Sequence, residues 1–122
     1  MTNQKWIAIV NPNAGAGKCK RDWPVIKDLL NKFNISYDTV FTKKRFHAMI
    51  LTRNKIREGY KNILVVGGDG TLNEVINGLF AQKDLITTDI TLGMIPVGTG
   101  NDWARMFGIS FEYEEAIKTL IK

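Results

Sequence analysis

The chain is short of the residues that staple small folds or build metal centres. Its 122 residues contain one cysteine, Cys19, which excludes an internal disulfide and cannot form a zinc site alone. It lacks any signature of a reactive thiol, so we read it as a small structural residue. There is one histidine, His47, with no partner nearby in sequence. We read it as a surface or packing residue rather than a catalyst. No apolar run approaches the ~18 residues of a membrane-spanning helix, and no charged-then-apolar leader opens the chain. These absences lead us to expect a cytoplasmic protein whose contact with a membrane is peripheral. Asn34-Ile35-Ser36 matches a glycosylation sequon and carries no weight without a secretory signal. Internal repeats and low-complexity segments are also missing.

What is present fits one compact domain. Hydrophobic residues make up 44% of the chain and charged residues 24%, ordinary values for a globular protein. The net charge of +5 favours anionic partners such as nucleotide phosphates, acidic lipid headgroups or nucleic acid. The basic residues are scattered, with the densest cluster at Lys43, Lys44 and Arg45. Basic and aromatic residues do not interleave as on an RNA-binding surface. We therefore read the cluster as a solvated surface and expect no nucleic-acid partner.

Hydrophobic patterning sets out the elements. Lys5 to Val10 and Asn62 to Val66 are short apolar runs suited to strands buried on both faces. Ile26, Leu29, Leu30 and Phe33 follow a helical spacing, as do Leu72, Val75, Ile76 and Leu79. For the first of these helices, Asp22 is the expected cap, with Pro24 in its first turn. Ile35, Tyr37, Thr39 and Phe41 alternate with polar residues as in a half-buried strand. Residues 45–58 are expected to be helical, Ile90 to Val97 a strand, and 101–107 and 111–121 short helices. The last should bury Tyr113, Ala116, Ile117, Leu120 and Ile121, while Trp103 and Phe107 pack inward. Strands alternating with helices imply right-handed crossovers and a doubly wound, mainly parallel α/β sheet with flanking helices. Ligands bind such sheets at the carboxyl ends of the strands.

Three glycine-rich loops leave predicted strands at that end. In Gly67-Gly68-Asp69-Gly70-Thr71 the glycines let the backbone approach a ligand, and the N–H groups from about Thr71 to Glu74 would face an anion. Asp69 is the exception, because a carboxylate repels phosphate unless a metal lies between. A Mg²⁺ accompanying a polyphosphate resolves the conflict. The bland alternative is that Asp69 or Thr71 only caps the helix. Asn11-Pro12-Asn13-Ala14-Gly15-Ala16-Gly17-Lys18 is no Walker A loop, because Pro12 occupies the first glycine position. Gly-x-Gly-x-x-Gly fails as well, since residue 20 is lysine. The loop is either a plain connection or a second phosphate- or sugar-contacting loop with the Lys18 charge available. Gly98-Thr99-Gly100-Asn101-Asp102 offers a hydroxyl, an amide and a carboxylate, with Asn101 or Asp102 equally suited to be an N-cap.

Taken together, these residues resemble the diacylglycerol kinase catalytic domain superfamily, which includes sphingosine kinases and shares its Rossmann-like fold type with NAD kinases. The resemblance rests on Gly67 to Thr71 followed by Leu72-Asn73-Glu74-Val75. It also rests on Asn11-Pro12-x-Ala14-Gly15-x-Gly17, Thr42 with His47-Ala48, and Pro96-Val97-Gly98-Thr99-Gly100-Asn101-Asp102-x-Ala104-Arg105. It implies a lipid kinase that uses ATP and Mg²⁺, acting on a lipid at a membrane surface. Nucleotide contacts would then fall on Asn11, Pro12, Asn13, Ala14, Gly15, Thr42, Gly68, Asp69, Gly70, Thr71, Leu72, Asn73, Glu74 and Thr99. Asp69 would be the catalytic, Mg²⁺-aligning carboxylate. Thr42 rests on the resemblance alone. Family enzymes continue into a β-rich second domain that carries the base and covers the lipid, so residues 1–122 read as an excised nucleotide-binding domain. A homodimer stays open. An NAD kinase-like enzyme shares Gly-Gly-Asp-Gly-Thr but differs in the Gly98 to Arg105 motif. A nucleotide-binding module without catalysis would keep the same loops.

Overall fold

The computed structural model describes residues 5–82, 89–98 and 101–121, except the side chain of Trp103. Four strands form one parallel sheet in the order β2-β1-β3-β4, with β1 at Trp6–Val10, β2 at Tyr37–Phe41, β3 at Asn62–Gly67 and β4 at Thr91–Pro96. The two central strands are buried along their whole length, which is why they read as unbroken apolar runs. Edge strand β2 is only half-buried and alternates accordingly.

Helix α1, Lys18–Lys32, leads from β1 out to β2, whereas α2, His47–Arg57, and α3, Asp69–Ala81, carry the chain back to β3 and on to β4. Right-handed crossovers running in opposite directions place their helices on opposite faces. The core is divided the same way. Ala8, Val10, Leu64, Val66 and Ile95 pack with Ile26 and Leu30 of α1 and with Ala116 and Ile117 of α5, Tyr113–Lys118. Ile7, Ile9, Ile63, Val65 and Met94 pack with Ile56 of α2, Val75 and Leu79 of α3, and Ala104 of α4, Asp102–Met106. The doubly wound architecture is thus present. Its winding reverses at β1, so the crevice opens between the carboxyl ends of β1 and β3.

Several boundaries differ from the sequence expectation. Helix α1 starts at Lys18, after Gly15, Ala16 and Gly17 turn the chain through positive φ. Asp22 is therefore no cap. It lies one turn inside the helix, where it pairs with Lys18 and accepts a hydrogen bond from Tyr113. Pro24 is likewise interior and deprives the carbonyl one turn back of its donor. Helix α3 begins at Asp69, two residues early, and its first closing bond runs from Leu72 N–H to Gly68 C=O. Of the residues expected to be buried near the C-terminus, Ile121 is 57% and Phe107 63% exposed. Both lie at the end of a short element, with too few turns to carry them back over the sheet. His47 sits at the start of α2, its Nδ1 accepting from Lys43 N–H at 2.9 Å. Cys19 is fully buried, and burial pushes its thiol up to about 11, which suits a packing role.

Helices α2 and α3 pack so closely that Gly78 has no room for a side chain. A Cβ there would lie 2.6 Å from the Met49 carbonyl oxygen and 2.9 Å from Thr52 Cβ. Neither neighbour can yield, since one is backbone and Thr52 is fully buried, with its hydroxyl donating to Ala48 C=O at 2.7 Å. Gly78→Ala should destabilise the fold by about 1–3 kcal/mol through overpacking, despite alanine's better helix propensity. A urea melt with an unchanged m-value and a lower midpoint checks this.

Candidate functional site

The crevice is organised by one side chain at the end of β1. Asn11 Nδ2 donates to Thr71 Oγ1 at 3.0 Å, while Oδ1 accepts from Thr42 Oγ1 at 3.3 Å and from Asn13 N–H at 3.1 Å. Its backbone N–H continues the sheet by donating to Val66 C=O at 3.0 Å. One amide therefore joins the ends of β1, β2 and β3. Thr42 and Thr71 are both buried, so their hydroxyls depend on Asn11 for partners.

The three glycine-rich loops meet around this junction. Gly15 and Gly98 touch backbone to backbone, since a Cβ on Gly15 would lie 3.0 Å from Gly98 Cα, and both have positive φ. Any other residue on either side would push the first and third loops apart. Asn101, also buried, donates from Nδ2 to Gly98 C=O at 3.1 Å. The loops enclose a cleft of about 520 Å³ lined by Asn11, Gly15, Gly68, Asp69, Gly70 and Thr71, among others. A second compartment of about 270 Å³ shares Asn11, Gly70 and Thr71 and extends toward Asn13, Thr42, Lys44, Arg45 and Glu74. Both volumes are on the scale of small-molecule sites.

The N-terminus of α3 points into this space. Because the first intrahelical bond is made by Leu72, the N–H groups of Gly70 and Thr71 have no intrahelical acceptor. These are the donors an anion would meet, with the helix dipole behind them. They precede the Thr71 to Glu74 stretch expected from sequence. Leu72 is buried in the core against α2, and Asn73 is exposed.

Other sequence-derived assignments change. Lys18 is not a spare charge: its Nζ lies 2.5 Å from Asp22 Oδ2 and 3.2 Å from Tyr113 Oη. Its hydrogen bond to Asp22 raises its pKa and holds the Asp22 carboxyl below the usual range. Glu74 clamps a neighbouring helix, with Oε2 accepting from Phe46 N–H and Oε1 from Ala48 N–H, both at 3.1 Å. Asp69 does not cap its own helix. Its Oδ2 accepts from Asp102 N–H at 2.7 Å, which ties the start of α4 to the start of α3. Thr71 spends its hydroxyl on Asn11. Pro12 and Ala14 act through backbone, their carbonyls accepting from Lys20 and Cys19 N–H. Thr99 lies outside the described residues. Lys44 and Arg45 are cleft-lining cations that the sequence reading left as solvated surface.

Residues 5–122 match the family model of the diacylglycerol kinase catalytic domain. The chain belongs to that family. It is 32% identical to a diacylglycerol kinase of Staphylococcus carnosus over 93% of its own length and 36% of that protein's. It is 34% identical to sphingoid long chain base kinase 4 of Schizosaccharomyces pombe, covering 81% of this chain and 22% of the relative. A diacylglycerol kinase structure from Bacillus anthracis superposes with a TM-score of 0.78 at 32% identity, covering 97% of this chain and 42% of the other. This family chain thus spans about a third of the length of the Staphylococcus relative. No helix among the described residues is long and apolar enough to cross a membrane.

The Asn11 junction gives a direct stability test. Asn11→Ala strands the buried hydroxyls of Thr42 and Thr71 and frees the Asn13 amide, and should cost about 1–3 kcal/mol. Asn11→Ala with Thr71→Val should recover part of that loss, because it removes one stranded group. Chemical denaturation of both variants measures the coupling.

Proposed function

We propose that this chain forms the ATP-binding portion of a lipid kinase that transfers the γ-phosphate of ATP to a lipid hydroxyl. The observation that carries the reading is the open approach to the start of α3. Among the described residues, a Cβ built on Gly70 meets nothing within 4 Å, although the residue lines both compartments. Nothing among the described residues requires glycine there. A ligand approaching the helix N-terminus closely does. Phosphates would lie against the Gly70 and Thr71 N–H groups, with the Gly15 loop beside them, and the nucleoside would extend along the cleft. Family membership and relatives named as diacylglycerol and sphingoid base kinases support the lipid acceptor.

In the proposed reaction the acceptor oxygen bonds to the γ-phosphorus as the β–γ bridging bond breaks, releasing ADP. The hydroxyl proton leaves to a base, for which we assign no residue of this chain. This chain's part is to position the phosphates and donate hydrogen bonds to their oxygens, which dominates catalysis of phosphoryl transfer. The residues present fit a metal delivered by the nucleotide better than a protein-built cage. Among the described residues no group of three or more His, Cys, Asp or Glu could hold an ion. Asp69 lines the cleft, its Oδ2 accepting from Asp102 N–H. Mg²⁺ prefers such partnerships of phosphates, waters and one or two carboxylates. When bound it would neutralise phosphate charge, with Asp69 aligning it.

Two variants test these roles. Gly70→Ala should leave stability unchanged or raise it by up to ~1 kcal/mol while weakening ATP binding by calorimetry by on the order of 10-fold or more. Unimpaired binding would remove the argument from the open glycine. Asp69→Asn keeps an acceptor for Asp102 and removes the charge. In a kinase of the relatives' full length carrying this segment, it should lower kcat by on the order of 10² or more. Its thermal melt should shift by less than ~1 kcal/mol equivalent. Full activity across a Mg²⁺ titration would reduce Asp69 to a bracket between two helices.

A further inference from the structure

The segment between β2 and α2 combines features that its position in the fold does not explain. Lys43, Lys44 and Arg45 are exposed and make no ion pair with any described residue. Phe46 follows them directly and is 56% exposed, with the Arg45 guanidinium 5.3 Å from its ring centroid. Its backbone is left-handed at φ 67, a conformation that bulky side chains rarely adopt. Strain of this kind persists only where the surroundings impose it. Here Glu74 grips the segment, its two carboxylate oxygens accepting from Phe46 N–H and Ala48 N–H. A carboxylate from the cleft-forming helix thus fixes the backbone that carries this exposed ring. Solvation alone accounts for the cations but not for that ring.

We propose that residues 43–46 form an anchor to an anionic phospholipid bilayer, with Phe46 entering the interfacial layer and the neighbouring cations facing headgroup phosphates. Aromatic rings favour that layer, where one part of the side chain is apolar and its surroundings are wet. Unpaired cations beside it are attracted by a negative surface. The choice of a bilayer over other polyanions rests on the lipid-kinase reading above. Lys44 and Arg45 also line the nucleotide cleft, so bilayer contact would set the mouth of the cleft close to the membrane, where a lipid hydroxyl must arrive.

The test uses Lys43 and Phe46, which do not line the cleft. Sedimentation with phosphatidylcholine vesicles, with and without phosphatidylglycerol, measures binding by the chain, and calorimetry measures MgATP affinity in parallel. Wild type should bind the phosphatidylglycerol vesicles preferentially and lose affinity with added salt. Lys43→Gln should weaken that binding about 5-fold and Phe46→Asn by on the order of 10-fold, with MgATP affinity unchanged. Asparagine tolerates left-handed backbone, so Phe46→Asn should melt no lower than wild type, and Lys43→Gln serves as an independent surface variant. Vesicle binding indifferent to both variants, or to phosphatidylglycerol, overturns the proposal. So does a loss of affinity confined to a single-stranded oligonucleotide probe. Variant-sensitive vesicle binding by a chain that fails to bind MgATP supports the anchor and rejects the nucleotide reading instead.

Discussion

The Asn11 carboxamide is the constraint on which the cleft depends. The parallel sheet brings the carboxyl ends of β1, β2 and β3 to one edge, and a single amide joins them. It reaches Thr71 at the start of α3, Thr42 beyond β2 and Asn13 in its own loop. Each bond is worth on the order of 1 kcal/mol, but buried hydroxyls make the cost of losing them larger than that mean. The Gly15–Gly98 contact extends the junction to the third loop, where the absence of two side chains does what a hydrogen bond does elsewhere.

This arrangement separates rigid from receptive parts of the site. The side chains of Asn11, Thr42, Thr71, Glu74 and Asn101 are spent on one another or on backbone groups. What remains open to a ligand is mostly main chain: the amides at the start of α3 and the glycines around them. Backbone donors held in fixed positions pay no reorganisation cost when an anion arrives. That property suits phosphoryl transfer, in which positioning and charge stabilisation carry most of the catalysis.

The sheet was legible in the sequence because burial on both faces of β1 and β3 leaves unbroken apolar runs and glycine loops punctuate them. The reversal of winding at β1, and hence the place of the crevice, was not, because the order β2-β1-β3-β4 is set by pairing between strands distant in the chain. Helix starts were less legible. Asp22 resembles a cap, yet Gly15 and Gly17 at positive φ had already turned the chain, and Asp22 found partners in Lys18 and in distant Tyr113. Long-range pairing of this kind leaves no local signal. The same holds for Glu74 on α2, for Asp69 on α4, and for Gly78, whose need for glycine exists only once α2 lies across α3. Phe46 was visible next to the basic cluster, but the carboxylate that holds its backbone, Glu74, lies 28 residues away.

The central claim is that polyphosphate binds on the backbone at the start of α3, between the loops joined through Asn11. Backbone amide shifts followed by NMR during titration with MgATP test it most directly. The expected result is saturable movement of the Gly15, Gly68, Gly70 and Thr71 amides, reproduced in part by inorganic triphosphate. MgATP that leaves these four resonances in place, whether it moves amides elsewhere on the sheet or none at all, would contradict the claim.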